Sequence, residues 1–206
     1  TVWEPGVRGP GGAQCARPIP LQRGAEIAAM RGAGRLASEV LDTLTPHVKA
    51  GVTTEAIDKI AHDHIVHEQH AVPAPLNYAP PGYTPYPKSI CTSINHQVCH
   101  GIPNENKRLQ NGDILNIDIT VIVDGWHGDT SRMFYFGRVK VLGKRISAVT
   151  YKALMPGIEV VKPGAHLAEI GPAAGEAVPH LAKVLENEDP EVRLQALVAL
   201  GNIGPD

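Results

Sequence analysis

The chain has 206 residues, 43% of them hydrophobic and 4% aromatic, with a formal net charge of −2 at pH 7. That length supports one sizeable core plus an appendage, and the near-neutral balance carries no basic footprint for nucleic acid or membrane surfaces. No apolar run approaches the ~18 residues of a spanning helix, and Cys15, Cys91 and Cys99 lack zinc-like spacing and fit reduced thiols, so a cytoplasmic location is expected.

In chain order, residues 1–22 are rich in Gly and Pro (Pro5-Gly6, Gly9-Pro10-Gly11-Gly12, Pro18, Pro20), show no periodicity and read as a loose arm. A helix is predicted over about Ala25 to Thr43, with Ile27, Met30, Gly34 and Leu41 as its buried stripe. A second follows Thr53, a good cap, and runs to about Gln69. His62, His64, His67 and His70 fall on different helix faces, so they read as a polar surface and not a metal site. A proline-rich loop spans Val72 to Lys88, with Tyr78, Tyr83 and Tyr86 interleaved. Strands are predicted over Ile90–Asn95, Ile114–Val123 and Trp126–Phe136. A last helix, about Ile146 to Val161, contains Pro156, which is expected to kink or split it before Lys162-Pro163-Gly164.

Chemistry concentrates in the run from Asn116 to Ser131. Apolar and polar residues alternate from Asn116 to Ile122, the period of a strand with one buried face. Asp124-Gly125 is a two-residue turn signal that pairs Val123 with Trp126. Asp118 then lies opposite Ser131, and Asp129 opposite Thr120, with all four side chains on one face. Two carboxylates set diagonally across a ladder repel unless a cation or proton lies between them. Oxygen ligands of this kind suit divalent ions. The competing reading is a solvated face, but the flanking Ile117, Ile119, Val121, Trp126 and Phe134 make the hairpin apolar enough to be covered.

The segments Pro87-Lys88-Ser89-Ile90-Cys91-Thr92-Ser93-Ile94-Asn95, Val98-Cys99-His100-Gly101-Ile102-Pro103, Gly112-Asp113-Ile114 and Gly128-Asp129-Thr130-Ser131-Arg132-Met133-Phe134 resemble bacterial type I methionine aminopeptidase. So does Met30-Arg31-Gly32-Ala33-Gly34-Arg35-Leu36-Ala37, and the likeness spans roughly residues 24 to 171. The resemblance implies an α+β, pitta-bread fold of two similar halves. It also implies removal of N-terminal methionine from new polypeptides by a two-metal centre (Co, Mn, Fe or Zn) with a bridging water. Carried over by motif, Asp118 and Asp129 look like metal carboxylates, His100 like the substrate-facing, catalytic histidine, and Tyr86 and Cys91 like neighbours of the methionine pocket.

The family's remaining ligands, one His and two Glu, come from the second half of its fold, and the Gly-His-Gly-Ile-Gly-type segment is absent here. His166, Glu169 and His180 are the nearest substitutes and have no ligand-like spacing. The partial fold is therefore expected to leave an open sheet edge suited to self-association, two copies sharing a centre. After Gly171 the sequence changes character: Val178, Leu181, Ala182 and Leu185 mark one helix face, Asp189-Pro190-Glu191 opens another helix and Gly201 closes it. This resembles one HEAT-like repeat of the phycobilisome-lyase type, which implies an interaction or assembly module and needs neighbours to cover its apolar face.

The expected domains are thus 1–22, arm; 23–171, a methionine-aminopeptidase-like partial domain; and 172–206, the repeat, an α-helical hairpin. Two functions stay open at this level. One is a metallo-exopeptidase acting on peptide N-termini, impaired or inactive for want of the second-half ligands. The other is a non-catalytic truncated or chimeric protein that works through its repeat.

Overall fold

A computed structural model describes residues 21–164. The expected helical hairpin over 172–206, nearly all of the arm, and His166, Glu169 and His180 lie outside the described residues.

Helix α1 runs Gly24–Leu44 and opens with the Glu26 carboxylate accepting the Arg23 N–H at 2.7 Å. Its buried positions are Ala33, Ala37, Val40, Leu41 and Leu44, one stripe at helical spacing. Leu41 was expected there, but Ile27 and Met30 are 43% and 45% exposed. The buried positions of α1 begin only at Ala33, so its first turns are largely exposed. Helix α2, Thr54–Asp63, is capped as expected, with the Thr53 hydroxyl oxygen accepting the Ala56 N–H at 3.2 Å. It then widens into a π-helical turn, His64–Glu68, closed by the Gln69 N–H on the His64 carbonyl at 2.9 Å. Ring nitrogens of His62 and His64 are engaged by Ser89 Oγ at 2.7 Å and Glu68 Oε2 at 2.8 Å.

The sheet is built on β3 (Ile114–Val123), which pairs antiparallel along its whole length with β4 (Trp126–Tyr135). Its other edge takes two short strands in turn, β1 (Val72–Pro73) against Val121 and Ile122, and β2 (Cys91–Ile94) against Leu115 to Asp118. Leu115, Ile117, Ile119 and Val121 point to one face and are fully buried under α1 and α2 with Leu44, Ile57, Ala61 and Ile65. Each such side chain contributes about 1.5–3 kcal/mol of burial, so a register slip that turned this face outward would forfeit most of the core. Gly128 lets α1 and β4 meet, since a Cβ there would overlap the Ala33 carbonyl. Helix α3, Val141–Glu159, starts earlier than expected and continues through Pro156 without splitting. Pro156 falls in its last turns, where few backbone bonds depend on it. The architecture is a partial pitta-bread fold of class α+β, with the face of β3 and β4 opposite the core left to form a site.

Candidate active site

The hairpin turn sets the geometry. Asp124 and Gly125 both take positive φ, 50° and 78°, the conformation whose twist matches the flanking strands. Val123 pairs with Trp126, and the register places Asp118 opposite Ser131 and Thr120 opposite Asp129, as the sequence predicted. The Thr120 hydroxyl donates to Asp129 Oδ2 at 2.9 Å, which fixes that carboxylate's rotamer. Across β3, Cys91 pairs with Asp118, so its thiol shares the face. Burial pushes the Asp118 carboxyl above the usual range; the Asp129 charge adds to the rise and His100 opposes it. Burial likewise raises the Cys91 thiol, with Asp118 adding to it. A cation between the two carboxylates would relieve the repulsion that Asp118 feels.

Two close approaches aim the remaining groups. The His100-Gly101 segment lies against β2, with the Thr92 N–H on the Gly101 carbonyl at 2.7 Å and the Gly101 N–H on Ser93 Oγ at 3.2 Å. A Cβ at Gly101 would overlap the Thr92 carbonyl, so only glycine fits. His100 itself has φ +54°, a left-handed conformation uncommon for a non-glycine and held here by those flanking bonds. The proline-rich loop closes on itself through Asn77 N–H to Tyr86 carbonyl at 2.8 Å and Tyr86 N–H to Tyr78 carbonyl at 2.9 Å. The Tyr86 hydroxyl sits 3.1 Å from the Ile90 carbonyl and 3.2 Å from that of Gly101, within donating reach of both. Burial drives its ionisation far up, so it stays a neutral donor. At the loop's exit, the buried Asp58 carboxylate accepts the N–H groups of Ser89 and Ile90 at 2.9 and 3.1 Å and ties the start of β2 to α2.

Tyr86, Cys91, His100, Asp118 and Asp129 all line one cavity of about 550 Å³, which the loop roofs with Tyr78 and Tyr83. The five site residues that the family resemblance named are therefore brought to the same place. Thr120, placed on this face by the sequence, lines it too, and so does His127, which sequence reasoning missed. The signal for His127 was available: it stands two residues before Asp129 on the same strand and so shares its face.

A dinuclear metal centre needs ions held ~3.5–4 Å apart and clamped from both sides. The hairpin offers two carboxylates on one wall, and among the described residues no group of three or more His, Cys, Asp or Glu is placed to hold an ion. The described donor set thus does not fit such a centre on its own. Among the described residues, no helix is long and apolar enough to cross a membrane.

Known proteins resemble this chain in sequence and fold. The model for metallopeptidase family M24 matches residues 28–186, and that for the armadillo/beta-catenin-like repeat matches residues 174–204. A methionine aminopeptidase of Rickettsia prowazekii (strain Madrid E) is 59% identical over 142 residues, covering 69% of this chain and 52% of that protein. The methionine aminopeptidase of Escherichia coli (strain K12) is 52% identical over 155 residues, covering 75% of this chain and 57% of its own. The crystal structure of methionine aminopeptidase from Rickettsia prowazekii superposes with a TM-score of 0.72 at 53% identity, over 79% of this chain and 62% of that one. The chain spans about half the length of the curated relatives it matches.

Proposed function

The chain belongs to metallopeptidase family M24, and from that premise we propose that residues 23–171 are the substrate-binding half of a methionine aminopeptidase and that residues 172–206 are a HEAT-like interaction module. The observation that carries the first part is the convergence of Tyr86, Cys91, His100, Asp118 and Asp129 on one cavity. An unbranched apolar side chain enters beside Tyr86 and Cys91. His100, on its constrained backbone, hydrogen-bonds the carbonyl of the first peptide bond. Asp118 and Asp129 stand as metal carboxylates of the family's centre (Co, Mn, Fe or Zn). As anions they are also a countercharge for the α-ammonium of a peptide N-terminus. With no group of three or more His, Cys, Asp or Glu placed to hold an ion among the described residues, this half binds an N-terminus and does not cleave it.

Calorimetry and turnover of Met-Ala-Ser, with cobalt or manganese added, test the reading together. The expected result is peptide binding that weakens about tenfold in Asp118→Asn, a loss of ~1.4 kcal/mol, with no turnover above buffer. Turnover abolished by Asp118→Asn would overturn the impaired reading and mean that donors outside residues 21–164 complete the centre. A second reading, a non-catalytic protein acting only through its repeat, is favoured because no ion-holding group of three is placed among the described residues, and it wins if neither binding nor turnover is seen.

A further inference from the structure

Helix α3 is apolar on two opposite sides. Val149 and Gly157 are buried, and Gly143 seats on Val139 and Ile114. On the far side Tyr151, Leu154, Met155 and Ile158 recur at i, i+3, i+4 and i+7 and are 64%, 54%, 38% and 52% exposed. A helix apolar nearly all round is a helix meant to be covered on both sides, and an exposed stripe this large marks a contact surface. Lys144, at the N-terminal end of the stripe, and Lys162, three residues past the end of α3, are exposed.

We propose that the stripe is the docking site of the chain's own residues 172–206. The inference rests on the helical reading of that segment given above. Its sequence carries the complementary pattern, Val178, Leu181, Ala182 and Leu185 on one helical face and Leu194, Leu197 and Val198 on another. A single repeat cannot bury such a face by itself. Charge agrees: the segment is acidic (Glu176, Glu186, Glu188, Asp189 and Glu191 against Lys183 and Arg193), whereas the exposed charges along α3 are mainly Lys144, Lys152 and Lys162, with Glu159 the exception. Reach agrees as well. Residues 160–175 span as much as ~50 Å at about 3.3 Å per residue, against ~28 Å for the whole of α3 at about 1.5 Å per residue, so the segment can fold back along the full stripe. An intramolecular partner tethered this closely outcompetes a second copy at ordinary concentrations.

Hydrogen exchange on the full chain, at two concentrations tenfold apart, tests this. Amides of 176–200 and of Tyr151–Ile158 are expected to be protected equally at both. In Leu154→Asp/Ile158→Asp, exchange across 176–200 should rise at least about tenfold while β3 and β4 keep their protection. The reciprocal pair Leu181→Asp/Leu185→Asp should expose α3, and it decides the matter should the first variant loosen the hairpin. Protection of 176–200 that survives both changes in α3 would overturn the docking and leave a repeat covered elsewhere. Protection of α3 that appears only at the higher concentration would overturn it in favour of a second copy. No protection of 176–200 in the unaltered chain would remove the helical reading itself, and the docking with it.

Discussion

Asp58 shows how one residue outside the cavity shapes it. Its carboxylate is buried, yet it accepts two backbone N–H groups at the point where the loop becomes β2. Burial raises its carboxyl above the ordinary 3.8, and those hydrogen bonds and the Lys88 charge only partly offset the rise. The folded state therefore holds this proton more tightly than the unfolded chain. The resulting stabilisation is complete below the unfolded value and is lost as pH rises through the folded one. Asp58→Asn keeps the acceptor and removes the charge, so its urea midpoint should exceed the parent's at neutral pH and lose the parent's decline as pH rises above the ordinary carboxylate range. Asp58→Ala strands both N–H groups and should cost about 1–3 kcal/mol at any pH. Gly101 acts by its absence of a side chain. In Gly101→Ala the new Cβ meets the Thr92 carbonyl, the segment lifts from β2, and His100 moves with it. Peptide affinity should fall together with about 1–3 kcal/mol of stability, whereas His100→Ala should lower affinity alone; calorimetry beside urea melts separates the two. Neither effect was legible in the sequence, because both depend on how closely one stretch of backbone approaches another in the folded chain.

At the scale of elements, legibility followed how local the deciding force is. The β3–β4 hairpin could be read to the residue, since alternation fixes the buried face and Asp124-Gly125 fixes the turn. Once the register is known, the shared face of Asp118, Thr120, Asp129 and Ser131 is arithmetic. Gly125→Ala tests how much of this the turn contributes. At φ +78° an added Cβ costs roughly 1–2 kcal/mol, and the urea midpoint should drop accordingly, with peptide binding kept because the ladder still holds the register. Helix α1 was harder. Its composition offers Ile27 and Met30 as good core residues, yet both are exposed, since burial depends on what packs against that stretch of helix, a tertiary fact. In α3, Pro156 was expected to break the helix; it sits close enough to the end that few backbone bonds are at stake, and the helix continues. The π-helical turn at His64–Glu68 had no sequence signal that we can name.

At the scale of the molecule, the site's position was legible and its completeness was not. Family-like motifs and strand alternation brought five residues to one cavity from segments separated by tens of positions. A metal shell depends on groups from whatever chain faces the hairpin, and no pattern within residues 21–164 specifies them. Manganese titration therefore probes the whole chain and not merely the pair. Two carboxylates on one wall leave an ion largely hydrated, so binding should be no tighter than about millimolar, near −4 kcal/mol, and Asp118→Asn with Asp129→Asn should remove it. Micromolar binding of two ions per chain would instead require donors from outside the described residues. His166→Ala, Glu169→Ala and His180→Ala then identify them if they lie in the same chain. Affinity that falls on dilution, with light scattering following it from dimer to monomer, assigns them to a second copy across the open side of the hairpin.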